Sequence, residues 1–399
     1  MRTGVNSFQA SRLTQARESL GMTKVALASS LEVSQATITN WEAGRQFPEE
    51  VKLRNLSLIL KMPVHWFLRE QPDSGDGAYF FRSMASASKT ARLMTSTRLD
   101  WMPEMSGTFQ QWINWPEVSV PCSEHHFQNL SDEEIELLAE QTRSAARVGS
   151  GPVSDVVLAM ENCGVICARD EIGFTKMDGV SHWSPLDNRP YVFLSNDKSN
   201  GIRSRFDAAH ELAHVVLHRH VTPEEQKQHH KEIERQADLF ASCFLLPAAS
   251  FAKEVVSRPT VETLLAIKPR WKVSIAAMIM RCYQLHLIDD RQKTNLFKRL
   301  SAKSWRIQEP YDDHVQFELP RLLPRAAHML VDQGVLSKAD LLEELGFSAT
   351  ICESLCSLTP GFFRDTPPDI ENLVELKQAG SHQVRSNAKP AQVVNFPKR

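Results

Sequence analysis

His210 and His214 stand four residues apart with Glu211 beside the first, in the run Arg205 to His218, RFDAAHELAHVVLH. Four residues are close to one helical turn, so on a helix both imidazoles leave the same face and can grip one metal ion. The glutamate is then placed to work on a water at that ion, which is the mechanics of a zinc hydrolase. The surroundings suit this reading. Phe206, Ala209, Leu212, Ala213, Val216 and Leu217 give the run the apolar stripe of a mostly buried helix.

Two histidines do not close a zinc site, because a catalytic zinc takes a third protein ligand and keeps a position open. The run Lys231 to Leu246, KEIERQADLFASCFLL, offers one. Ile233, Ala237, Phe240, Ala241, Phe244 and Leu245 form its core stripe, with Glu234 and Asp238 one turn apart at the edge. Glu234 suits a metal ligand, and Asp238 suits an acceptor for the outer N–H of a ligand histidine. The plainer alternative is a solvated charged edge. His218, His220, His229 and His230 are rival ligands that read mostly as surface histidines.

The runs RSRFDAAHELAHVVLH and ERQADLFASCFLLP, with their separation, resemble the ImmA/IrrE family of zinc metallopeptidases. The resemblance implies a zincin-like fold with Glu234 as third ligand and Glu211 as the group that moves the proton of the attacking water. Arg189 to Ser195, Lys268 to Ile275 and Trp305 to Pro310 are also similar to fused members, so the likeness spans most of residues 140 to 310. Ala213 stands where a glycine is common and Gln236 where an acidic residue often sits; neither change removes a ligand. An oxyanion donor is implied as well, with Tyr191, His182 and Arg205 as candidates. In that family a helix-turn-helix repressor is the substrate.

The first seventy residues are a separate unit. Phe8 to Leu20 is a helical pattern broken by Gly21; Thr23 caps a helix to Leu31, Ser34 caps another to Trp41, and Gly44 and Pro48 end the unit. Ala28, Leu31, Val33 and Ile38 let two short helices pack across a tight turn, the layout of a helix-turn-helix. Gln35, Ala36, Thr37, Thr39 and Asn40 are left to face a major groove, with Lys24 and Arg45 where phosphates would lie. The segment resembles the XRE/Cro/cI repressor domain, a five-helix unit ending near Leu68, its last helix opened by Pro63. The formal net charge of -2 supplies no global pull toward DNA, so a local face and paired half-sites in a homodimer are expected.

These sites need elements to hold them. The fold class expected is α+β, mostly α: a helix-turn-helix domain over 1–70, a connector over 71–130, a zincin-like domain with a small sheet over 131–250, helices over 251–380 and a disordered tail over 381–399. Ser131 opens a helix toward Arg147 with a capping-box sequence, Val165 to Ala168 and Tyr191 to Leu194 read as strands beneath the zinc helix, and Pro259 and Pro269 read as helix punctuation. Phe80, Phe81 and Arg82 read as a docked part of the connector. No apolar run reaches the length of a membrane span, the amino terminus lacks a signal-peptide core, and the seven cysteines read as reduced buried thiols, Cys163 and Cys167 included. Cytoplasmic residence is expected.

Together these features suggest a regulator that binds operator DNA and uses Zn2+ to cleave a repressor, itself or a partner. Two alternatives remain open at this point: a transcription factor whose zincin-like domain senses a ligand without proteolysis, and an antitoxin or defence component that holds a toxin or other partner protein.

Overall fold

Four helices open the chain: α1 (Ala10–Ser19), α2 (Lys24–Leu31), α3 (Gln35–Glu42) and α4 (Glu50–Leu60). The computed structural model describes residues 4–73, 75, 77–81, 88–173, 177–197 and 200–364. Thr23 Oγ1 accepts from the Ala26 N–H and Ser34 Oγ from the Thr37 N–H, so both caps satisfy N–H groups left open by the helix start. Glu32 turns the chain between α2 and α3 at φ 53°, a left-handed conformation that costs a non-glycine residue roughly 1 kcal/mol. Its N–H bonds back to the Ala28 and Ser29 carbonyls, which offsets that cost. In place of the expected fifth α-helix, Pro63 opens a 3-10 turn, Val64–Leu68, that fully buries the adjacent Trp66 and Phe67. Two neighbouring bulky side chains are drawn into packing there, and five residues are too few to build a stable α-helix of their own.

The connector is docked. Strand β1 (Phe80–Phe81) leads to the long helix α5 (Lys89–Phe109), which packs on α1. Arg12 is fully buried and reaches both carboxylate oxygens of Glu104 at 2.8 and 2.9 Å, its guanidinium 4.7 Å above the Trp66 ring. Trp66 in turn meets Trp101 edge-on at 5.7 Å and Phe347 at 5.9 Å. Through Phe363 the chain forms one compact unit. Arg82 and the tail over 381–399 lie outside the described residues.

Helices α6 (Asp132–Ala145) and α7 (Val156–Asn162) precede the strands β2 (Ile166–Asp170), β3 (Gly179–Ser184) and β4 (Arg189–Ser195). Ser131 caps α6 through the Glu134 N–H. The sheet order is β1-β3-β4-β2, with β2 and β4 parallel and the other pairs antiparallel. Side chains alternate across it with the period of two that a strand imposes. Cys167, Val192 and Leu194 enter one core, while Ile166, Ala168, Val180, Tyr191 and Phe193 enter a second core shared with α5 and the opening helices. Strand β3 was not expected, because GVSHWS carries three polar residues among six and lacks an apolar alternation.

On the first face lies α8 (Gly201–Leu217), followed by α9 (Pro223–Gln228), α10 (His230–Leu245) and α11 (Ala248–Glu254). Helices α12 (Val261–Trp271), α13 (Ile275–Gln284) and α14 (Asp290–Ala302) close that core. Pro259 precedes α12, but Pro269 sits inside its last turn. Helices α15 (Leu322–Asp332), α16 (Lys338–Leu345) and α17 (Ala349–Leu355) instead join the second core with α5. The single C-terminal helical region expected from sequence is thus divided between the two faces. The crossing segment is held by buried ion pairs: Lys268 Nζ lies 2.7 Å from Glu309 and 2.6 Å from Asp312, and Arg205 pairs with Glu318. Among the described residues no helix is long and apolar enough to cross a membrane.

Candidate metal centre and DNA-reading face

Asn200 caps α8 through the Arg203 N–H, and the helix presses Ala208, Ala209, Leu212, Val215 and Val216 into the core beneath it. That orientation brings His210 and His214 to the groove between α8 and α10, where both are buried to 1% exposure. Glu234 enters the same groove from α10. One donor atom from each of the three lies within 4.8 Å of the others. The two Nε2 atoms are 3.1 Å apart, and the Glu234 carboxylate stands 3.4 Å from His210 Nε2 and 3.7 Å from His214 Nε2.

The outer ring nitrogens decide what those Nε2 atoms present. His210 Nδ1 lies 2.9 Å from Asp238 Oδ1, an acceptor, so the ring proton sits on Nδ1. For His214 the chain is longer. Gln236 Nε2 donates to the Phe127 carbonyl at 2.7 Å and to Glu232 at 3.1 Å, which leaves its Oε1 to accept from His218 Nε2 at 3.0 Å. Burial pushes His218 down to about 4, so this imidazole is neutral and its Nδ1 accepts, at 2.9 Å, from His214 Nδ1–H. Both histidines are thereby turned lone pair to lone pair, an arrangement that repels unless a cation lies between them. Spacings of 3.1 to 3.7 Å match the edges, roughly 3.3 Å, of a tetrahedral ion with bonds of roughly 2 Å. The donor set of two imidazoles and one carboxylate therefore fits zinc.

Glu211 points to the sheet side. Ser181 Oγ on β3 donates to its Oε2 at 2.7 Å. Gly179, two residues earlier, leaves the room: a Cβ there would lie 3.1 Å from Glu211 Oε1 and 3.0 Å from its Cγ. Phe80 of β1 stacks on His214 with ring centroids 4.6 Å apart. Ser181, Gly179, the stacking of Phe80 on His214 and the His218–Gln236 relay escaped the sequence reading, which placed Phe80 only as a docked part of the connector. The usable signal was His218, which continues the spacing of four from His210 and His214.

Of the three oxyanion candidates, two are committed elsewhere. Tyr191 Oη donates to Asp187 at 2.6 Å, and Arg205 holds the Ser154, Val153 and Lys272 carbonyls besides Glu318. His182 adjoins Ser181, its ring stacked 4.4 Å from Tyr79. His220 is exposed and His229 bonds Gln128, while His230 reaches Glu234 at 3.7 Å.

On the opening helices, Gln35 and Ala36 at the start of α3 and Arg45 beyond its end are exposed; Thr37, Thr39 and Asn40 are partly so. Thr39 spends its hydroxyl on the Gln35 carbonyl. Lys24 differs from expectation, since its Nζ lies 2.9 Å from Glu42, the carboxylate that also holds Arg17. Its charge is partly used inside the domain.

Residues 10–64 match a helix-turn-helix domain, and residues 170–283 match the IrrE N-terminal-like domain of peptidase family M78. The second match runs from the end of β2 to α13 and takes in the three converging donors, Glu211, Asp238, His218 and Gln236. No curated protein matches the chain. The chain joins a helix-turn-helix domain to an ImmA/IrrE-type domain.

Proposed function

We propose that this fusion is a DNA-binding transcriptional regulator whose IrrE-like domain hydrolyses a peptide bond, with Zn2+ held by His210, His214 and Glu234. The observation that carries the reading is the pair of facing imidazole lone pairs closed by a carboxylate, with a second carboxylate, Glu211, one residue from a ligand. A zinc ion bound there supplies Lewis acidity toward a water and a peptide carbonyl. Glu211 accepts the proton of the attacking water and returns it to the leaving amine. Ser181 holds the Glu211 carboxylate in one orientation through Oε2. Asp238 and His218 keep the ligand imidazoles in the tautomer that offers Nε2. Phe80 covers one face of His214 and excludes water from it.

The helix-turn-helix domain binds double-stranded operator DNA through α3, as a homodimer on paired half-sites. The substrate is a helix-turn-helix repressor, this chain or a partner, whose cleavage relieves stress, mobile-element or defence genes. The test is an operator-driven reporter in cells carrying wild type or Glu211→Gln. Relief on induction in wild type and sustained repression in the variant are expected; equal relief in both contradicts the reading.

A second reading rests on the docking of Trp66 against Trp101 and Phe347. Through that contact a change at the metal domain can reach the DNA-binding helices without any bond being cut. Zinc-dependent regulation that survives Glu211→Gln favours this sensor reading.

A further inference from the structure

The sheet edge beside Glu211 is filled by a strand from outside the metal domain. In the order β1-β3-β4-β2, strand β3 has β4 on one side and β1 on the other. Strands β3 and β4 belong to the IrrE-like domain, whereas β1 comes from the connector behind the helix-turn-helix domain. Without residues 77–81, β3 would present a bare row of N–H and C=O groups, the surface to which an extended peptide adds as a strand.

That row runs past the groups proposed to react. Phe80 pairs with Ser181, whose hydroxyl holds Glu211, and the Phe80 ring stacks on His214. Residues opposed across an antiparallel pair share a face of the sheet, so one connector residue lies against both Glu211's support and His214. An extended chain that carries a carbonyl to Glu211 along β3 needs the same space.

The connector is gripped through its backbone, as a bound peptide is. His182 Nδ1 donates to the Ala78 carbonyl at 3.1 Å, and Gln226 on α9 donates from the far side to the Tyr79 carbonyl at 2.8 Å. The Tyr79 ring stacks on His182 at 4.4 Å, and its hydroxyl donates to Asp100 on α5. Strand β3 has six residues and β1 covers two of them, so a longer extended segment makes more bonds to β3 than the resident strand does.

We propose that residues 77–81 are a built-in stand-in for substrate: they fill the β3 edge beside His214 and Glu211, and an extended protein segment must displace them to be cut. The inference rests on the peptidase reading above and adds the device that restrains it.

The experiment staples the strand in the zinc-loaded full chain. Phe81→Cys with Val180→Cys puts two thiols across the pair, on the opposite face from His214, at a separation that a disulfide spans. Cleavage of a mixture of random-sequence peptides is measured oxidised and after reduction by a phosphine, with zinc content verified and wild type treated alike. A rise of about tenfold or more on reduction, absent in wild type, is expected, because a tethered occupant competes at a high effective concentration. Measurable cleavage that is equal in both forms overturns the proposal and leaves the hydrolase standing. The same staple in Glu211→Gln is read without cleavage, by anisotropy of a fluorescent peptide with the sequence of residues 75–81. Binding tighter by about tenfold or more after reduction, with no cleavage by wild type, keeps the strand as occupant of the edge and removes the hydrolase alone. Equal binding in both forms removes the occupant. Gln226→Ala, which truncates no apolar side chain, loosens the far side and should raise cleavage, or peptide binding in Glu211→Gln, about 3- to 10-fold. No rise in either contradicts the proposal.

Discussion

His210 and His214 face each other through Nε2 at 3.1 Å while their Nδ1 atoms are held by Asp238 and His218. Each outer partner fixes a tautomer, so on the proposed zinc-binding reading the two side chains and Glu234 form one preset donor set. Removing a ligand by His214→Ala or Glu234→Ala should abolish stoichiometric zinc binding. Asp238→Ala should weaken it less, on the order of 10- to 100-fold, because the imidazole remains but its orientation is lost. Competition against a chromophoric chelator measures both. Equal zinc affinity in Asp238→Ala and wild type would remove the orienting role.

Among the described residues, Gln236 meets the proposed donor set through His218. Gln236→Leu leaves a buried imidazole proton without its acceptor, a loss of about 1–3 kcal/mol. Both a lower melting temperature and weaker zinc binding are expected, the latter being what a purely structural residue would not give. A calorimetric scan paired with the same chelator competition reads the two effects separately.

Glu161 ties α7 to the start of α15, accepting from the Arg321 and Leu322 N–H groups at 2.9 and 3.0 Å while only 1% exposed. Burial pushes its carboxyl up to about 7, against the pull of those N–H donors. The folded value is above the unfolded one, so the contribution is full below about 4.5 and is lost as pH rises toward 7. Wild type should lose up to about 1.4 kcal/mol per pH unit across that window, and Glu161→Gln should flatten the slope. Urea unfolding at several pH values checks this; parallel slopes for the two proteins would refute it.

Gln35 and Arg45 stand in the open, whereas Lys24 is engaged by Glu42. On a DNA site selected from a random pool, Gln35→Ala should cost about 1–3 kcal/mol on that site, and Arg45→Ala should reduce the salt slope of binding by about 1. Lys24→Ala should move the salt slope less and stability more. Fluorescence anisotropy across a salt series distinguishes these, and an Arg45→Ala slope equal to wild type would exclude that phosphate contact.

The chemistry-bearing residues were legible because their spacing is local. His210, Glu211, His214 and the Glu234–Asp238 pair each depend on one helical turn, and Thr23 and Ser34 announce helix starts by short-range bonds. What stayed hidden depends on distant partners. His218 reads as a surface histidine until Phe127, by way of Gln236, comes from another part of the chain to fix it. Strand β3 looks too polar for a strand because its buried Ser181 and His182 are met by partners distant in sequence, Glu211 for the first and the Ala78 carbonyl and Tyr79 ring for the second. The split of the C-terminal helices follows from Lys268 and Arg205 meeting Glu309, Asp312 and Glu318, pairings with no sequence period.

The central claim is that Glu211 beside the His210, His214 and Glu234 donors performs peptide hydrolysis. The intact mass of wild type and Glu211→Gln, both with verified zinc content, should be followed alone and with helix-turn-helix repressors, with and without operator DNA. Fragments that appear with wild type and not with Glu211→Gln are the predicted result. One zinc per chain, intact operator binding and no fragments from either protein would contradict it.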